Sequence, residues 1–297
     1  MSHYRSLRNK PFFEKVCDYR FMSSLFALAA AISIASGLFL TKSVTQRLPG
    51  YHSVGVLFFF NAVVAAPFLL LDPQWVQLSG IAWLRIIIGG SLTALGAGLI
   101  FLVVTRSSAS ASAVGQSLSP AVVLVIAPLI LGTSVSVGQI IIVLILVTAV
   151  LLPLKNSLAG VSSLSTFALI SSIAITTGAV TTLIALQIHA GMALVQVVFI
   201  QQLIAATLFL ILFFPKHFTA KNYLSLFPRS IFMGAGWVLT SYAISHGSPV
   251  VVQSIISTVP LWIILFETVA YKRPPSRSVI ISSCLACAGI CALAFLF

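Results

Sequence analysis

FALAAAISIASG, residues 26–37, and FALISSIAITTG, residues 167–178, lie 141 positions apart and share Phe, Ala, Leu and a closing glycine. The register persists beyond them. Ala65, Phe68, Leu69 and Leu71 fall on Ala206, Phe209, Leu210 and Leu212 at the same offset. SLSPAVVLVIAPLILG (117–132) resembles IISTVPLWIILFETVAYK (255–272), with Pro120 and Pro260 140 apart. A constant offset over several segments is the mark of an internal repeat.

Each copy is built of membrane spans. Hydrophobic residues make up 59% of the 297 and charged residues only 7%, and mean hydropathy is +1.13. Soluble domains carry about 25% charged residues, so this chain cannot clothe a water-facing surface. A spanning helix needs roughly 20 apolar residues. Ten segments qualify: 21–41, 53–71, 81–104, 110–131, 136–154, 163–187, 193–214, 229–246, 249–270 and 278–297. Short polar or Pro/Gly-rich breaks separate them, such as QRLPGY (46–51), FPKHFTAKN (214–222) and YKRPPSR (271–277). The first span, at about 21 residues, exceeds the apolar core of a signal peptide and is read as a retained helix. The expected fold is an all-α integral membrane protein: a basic tail over 1–20, then five-helix repeats over 21–155 and 156–297. Five is odd, so the second repeat enters the membrane upside down. Inverted repeats of this kind place a substrate site near the midplane, between the halves.

The net charge of +12 does not indicate nucleic acid. The basic residues are scattered singly between apolar runs, as membrane-flanking anchors are. Orientation signals conflict. Arg5, Arg8, Lys10, Lys15, Arg20 and Arg85 fall on the N-terminal side. Lys42, Arg47, Arg106, Lys155, Lys216, Lys221, Arg229, Lys272, Arg273 and Arg277 fall on the other. The loops favour the second side as cytoplasmic. The dense N-terminal tail favours the first, and both termini are taken as cytoplasmic in a cell membrane, the inner one in a bacterium. Cys284, Cys287 and Cys291 share a face of the last span without His or acid beside them, and Cys17 lies in the tail. They read as small apolar residues, not metal ligands. The reading calls for no metal and no cofactor.

The fourth span of each half carries a pattern: SASASAVGQSLSPAVVLVIAPLILGT (108–133) and SHGSPVVVQSIISTVPLWIILFETVAYKR (245–273). Small residues, a proline and an apolar stretch follow one another. In this, and in its five-plus-five arrangement, the chain resembles the drug/metabolite transporter superfamily, EamA-like branch. That family closes the pattern with Leu-Gly-Glu. Here its acid position falls on Thr133 and near Lys272 or Arg273, so the family acid is not carried over.

Candidate site residues follow from polarity in the spans, which is costly in hydrocarbon and marks function by default. Glu267 is the one acid within a span. It reads either as a counter-charge or proton carrier, or as a side chain snorkelling to the interface near Tyr271. Gln253 lies 14 residues before it, close to four helical turns, so both share a face with Pro260. Gln116 stands in a similar place ahead of Pro120. The two glutamines either bind substrate across the pseudo-axis or bond between helices. Asn61 overlays Gln202 at the repeat offset, with Gln201 and Gln196 nearby, as cavity wall or as structural glue. Trp237, Tyr242 and Trp262 offer faces for a ring or cation, or ordinary packing. Pro120, Pro128 and Pro260 bend their spans, and Pro120 and Pro260 are candidate hinges. Gly90, Ala94 and Gly98 form a close-packing stripe. Arg85 snorkels or binds an anion.

These features point to a secondary active transporter moving a small organic metabolite by alternating access. Its partners would be the substrate, membrane lipid and either protons or a counter-substrate, in a monomer or homodimer. The resemblance admits amino acids and S-adenosylmethionine as solutes. The sequence has no GxxxxGK[ST] loop for ATP drive. An enzyme would need a nucleophile, acid/base or metal constellation in the spans. The histidines, at 3, 52, 189, 217 and 246, lie in the tail or at span ends. The alternative is a channel or lipid scramblase without coupled transport.

Overall fold

The computed structural model describes residues 12–45, 50–71, 78–106, 109–152, 164–214, 223–272 and 277–296. Arg5, Arg8, Lys10, Arg47, Lys155, Lys216, Lys221 and Arg273 of the charge count lie outside them, as do His3 and His217. The helices in chain order are α1 (Phe12–Thr45), α2 (Gly50–Leu71), α3 (Gly80–Arg106), α4 (Ala109–Leu131), α5 (Val137–Leu151), α6 (Leu164–His189), α7 (Leu194–Leu212), α8 (Phe227–His246), α9 (Pro249–Ile256), α10 (Val259–Ala270) and α11 (Arg277–Leu296). Ten spans result, because α9 and α10 are halves of one apolar stretch, Pro249–Ala270. The first helix starts at Phe12, nine residues before its predicted span. FEKVCDYR holds no Gly or Pro, so nothing stops the helix from continuing out of the apolar stretch.

Among the described residues six stretches are long and apolar enough to cross a membrane by themselves, and α8 is not among them. It has an interior, polar-small face instead: Ser230, Gly234, Gly236, Thr240 and Ser241 are all buried. Exposed large hydrophobics such as Leu70, Leu129, Ile211 and Val269 cover the periphery, as a lipid-facing surface requires.

The packing follows the repeat. α1 packs on α8, and its repeat counterpart α6 packs on α3. α4 packs on α6, and the α9–α10 span packs on α1. The pairs α2–α7 and α5–α11 are their own counterparts and so sit on the pseudo-axis. The two closing glycines of the repeat have a packing cause. A Cβ on Gly37 would lie 2.7 Å from Met233 Cγ and 3.3 Å from the Arg229 carbonyl. One on Gly178 would lie 2.8 Å from Val122 Cβ and 3.1 Å from the Ser119 carbonyl. Each glycine lets a neighbouring helix come closer than any side chain allows. The stripe on α3 packs against α7: a Cβ on Gly90 would meet Ile204 at 2.8 Å.

The prolines do not act alike. Pro260 ends one helix and begins another. The chain makes a turn at Ser257 and Thr258, with Ser257 N donating to the Gln253 carbonyl at 2.9 Å and Thr258 N to the Ile255 carbonyl at 3.1 Å. Pro120 and Pro128 lie within α4, which runs on unbroken. Pro67 lies within α2 in the same way.

Candidate functional site

A cavity of about 190 Å³ sits where the two repeats meet. α1, α2, α3 and α4 of the first repeat line it, as do α6, α8, α9 and α10 of the second. α1 contributes Ile34 and Leu38, and α3 contributes Leu92 to Phe101, both from their C-terminal halves. α2 contributes Val54 to Asn61 and α4 contributes Gln116, from their N-terminal halves to mid-helix, and α8 contributes Arg229, Met233, Trp237 and Thr240, from its first turn to past its middle. Successive spans run antiparallel, so the cavity extends from the face where α1 ends inward past the middle of the molecule, to Thr240 of α8 and Gln253 of α9. Toward the other face the helices close. Ser23 Oγ, 2% exposed, donates to the Ala243 carbonyl at 2.8 Å, and Gly247 packs onto the same hydroxyl.

Of the residues singled out by sequence, Asn61, Gln116, Trp237, Gln253 and Pro260 line the cavity. Gln202 lies behind Asn61 and accepts from its Nδ2 at 3.2 Å. This bond joins two positions separated by the repeat offset itself, on the helix pair that forms the pseudo-axis. Asn61 Oδ1 is buried without a partner. Gln201 and Gln187 bond each other at 2.9 Å, in the space that the absent side chain of Gly89 leaves.

Gln253 sits one turn before the break between α9 and α10. Thr181 Oγ1 donates to its Oε1 at 2.6 Å, and its Nε2 donates to Ser119 Oγ at 2.7 Å. Ser119 Oγ donates in turn to the Gln116 carbonyl at 2.6 Å. One amide thus ties α6 and α4 to the broken span. Thr93 and Thr240 spend their hydroxyl protons on carbonyls one turn back, at 2.9 and 2.8 Å. Toward the cavity they offer lone pairs only.

Four candidates stand elsewhere. Tyr242 packs on Phe26 with ring centroids 5.9 Å apart. Trp262 packs among Ala31, Ala35 and Val259. Glu267 is half-buried on α10 and is not among the lining residues. Pro120 is buried within α4, away from the lining.

Arg229 corrects the sequence reading, which counted it among water-facing loop charges. It is 8% exposed and lines the cavity. Among the described residues it is the sole charged one lining the cavity. Among the described residues it has no hydrogen-bond or ion-pair partner, and its Nε is fully buried. A signal for it was present in the sequence: Arg229, Met233, Trp237 and Thr240 follow at i, i+4, i+8 and i+11, one face of a helix, and all four line the cavity. The threonines Thr176, Thr177 and Thr181 were likewise not singled out. Such residues are common in spans, where they bond their own helix.

Comparison with known proteins places the fold. The EamA-like transporter family profile matches residues 21–154 and 164–295. A solved structure, described only as "Crystal structure of protein", superposes with a TM-score of 0.75 at 16% identity, covering 92% of this chain and 97% of its own. At that identity the likeness is one of fold. No curated protein matches the sequence. Members of the matched family are transporters rather than enzymes. The chain belongs to the EamA-like transporter family and is a multi-pass membrane protein of the drug/metabolite transporter type.

Proposed function

We propose that the protein is a secondary active transporter that moves a small organic metabolite across the cell membrane by alternating access. The observation that carries this reading is the cavity: it is built from both repeats, placed at their junction and offset to one face while the other is closed. An inverted repeat can exchange the conformations of its halves, which moves the opening to the opposite face. With both termini cytoplasmic, the cavity faces away from the cytoplasm. The driving force is a gradient or exchange, with protons or a counter-substrate as the second partner. Glu267 is the candidate proton carrier, acting from outside the cavity wall. Amino acids and S-adenosylmethionine are the solutes that the family resemblance suggests.

The test is uptake of labelled amino acids, S-adenosylmethionine, nucleosides and small organic acids into proteoliposomes. Saturable uptake that a second solute on the far side accelerates supports the reading. Flux that never saturates, or lipid flipping without solute movement, overturns it in favour of a channel or scramblase.

A further inference from the structure

We infer that Arg229 is the anion-binding group of the cavity and that the solute is an organic acid, held by its carboxylate with an apolar body along Met233 and Trp237. The inference rests on the reading of this cavity as the transport site and narrows the solute class.

The argument begins with unbalanced charge. A buried guanidinium is costly unless it is paired and hydrogen-bonded, and Arg229 has no such partner among the described residues. The chain has four acids, Glu14, Asp18, Asp72 and Glu267. The Arg229 carbonyl lies beside Gly37 of α1, 19 residues beyond Asp18, or about 28 Å of helix. Its neighbour Ser230 lies against the Leu57 carbonyl of α2. That helix runs on 14 residues from Leu57 to Leu71, about 21 Å, and Asp72 comes after it in the sequence. Glu267, the one acid with a described side chain, is not its partner. Among the described residues none supplies a counter-charge, which leaves that role to a ligand in the cavity.

The surroundings fit an acid with an apolar body. Arg229 stands in the first turn of α8, where the helix dipole adds further positive potential. The planar guanidinium fork matches a carboxylate with two parallel bonds. Further along the same face come Met233 and Trp237, and Ile34, Leu57 and Phe58 also line the cavity. At the inner end Asn61 Oδ1 is unpartnered, and Thr240 presents only lone pairs. That end accepts a hydrogen-bond donor. Among the described residues no carboxylate lines the cavity to receive a fixed cation, which disfavours a solute with net positive charge, such as S-adenosylmethionine.

The test is thermal unfolding of the purified full-length protein in neutral micelles. The probes are 3-phenylpropanoate, 3-phenylpropanamide and 3-phenylpropan-1-amine, which share a body and differ in charge. Inorganic phosphate and phosphatidylglycerol serve as the free-anion and lipid-headgroup probes. The acid is expected to bind about tenfold or more tightly than the amide, the gain of a charge-assisted pair. Arg229→Gln should level the two, and Arg229→Lys should retain part of the preference. The acid–amide comparison in the wild type needs no variant to fold. Equal binding of acid and amide, tighter binding of the amine, a preference that survives Arg229→Gln, binding of phosphate or phosphatidylglycerol alone, or no shift with any probe would each overturn the assignment. Uptake of labelled 3-phenylpropanoate is measured separately. Acid binding without uptake leaves Arg229 assigned and refutes transport. Uptake of neutral or cationic solutes does the reverse.

Discussion

The bond between Asn61 and Gln202 gives a quantitative test of the pseudo-axis. Both side chains are buried, at 4% and 1% exposure, and the 3.2 Å contact is a neutral pair of ordinary length. Asn61→Leu would leave the Gln202 oxygen without its donor. Gln202→Met would leave Asn61 with neither of its amide atoms bonded, since Oδ1 is already unpartnered. Interhelical bonds in bilayers are worth about 0.6 kcal/mol on average and up to about 1.7. An orphaned buried polar group costs about 1–3 kcal/mol. Each single variant should therefore lose about 1–2 kcal/mol, with Gln202→Met the worse. The double variant buries no orphan and should lie near wild type. The coupling energy is then about 2–4 kcal/mol, or roughly 30- to 1,000-fold in the unfolding equilibrium. Reversible unfolding of the four proteins in SDS–detergent mixtures measures it. Additive losses, with coupling under about 0.3 kcal/mol, would show that these amides do not bond in the membrane.

Three further outcomes follow from the packing and the cavity. Gly178→Ala should destabilise by about 1–3 kcal/mol and Gly37→Ala by less, because Val122 and the Ser119 carbonyl cannot yield whereas the Met233 side chain can; equal losses in the same unfolding assay would contradict this. Glu267→Gln should leave ligand binding within about twofold, a difference of under 0.5 kcal/mol, and change only the pH dependence of uptake, since Glu267 is off the cavity wall; a large loss of equilibrium binding would move it into the site. In a protein lacking its native cysteines, Ala97→Cys in the cavity should react with a membrane-impermeant thiol reagent, whereas Ser23→Cys, buried against Ala243 and Gly247, should not. Equal reactivity would mean that both faces are equally accessible.

The sequence disclosed most of the fold because bilayer burial leaves a coarse signal. Apolar runs of spanning length, an odd number per repeat and a constant 141-residue offset decide the arrangement. The site was legible only in part. Amides in spans stand out against apolar neighbours, which is why Asn61, Gln116 and Gln253, which line the cavity, are legible as candidates. Residues near span ends are ambiguous in sequence, since the same Arg can face water or turn inward. Arg229 begins α8, and only the packing of Gly37 and Leu57 around that turn encloses it. The converse holds for Trp262 and Tyr242, whose aromatic character gives no sign of which neighbour they meet. They meet α1, through Ala31, Ala35 and Phe26.

The departures from symmetry connect the fold to a transport cycle. Pro120 and Pro260 stand 140 residues apart in equivalent spans, yet only the second span is broken. The glutamine at that break, Gln253, bonds Ser119 just before the unbroken proline, so the two equivalent spans are tied together while holding different shapes. If the halves exchange shapes, Gln202 comes to face the cavity in place of Asn61, and an amide is kept on either face. Arg229 has no such counterpart: at the repeat offset it falls on Ile88. The chain therefore keeps a neutral hydrogen-bonding floor in both halves and a cation in one. An acid bound beside Arg229 stabilises the state seen here relative to its inverted partner by the differential affinity of that one contact, and no more. For an exchanger or a proton-coupled carrier, that asymmetry biases which face captures the solute, and the second partner must supply the free energy to release it.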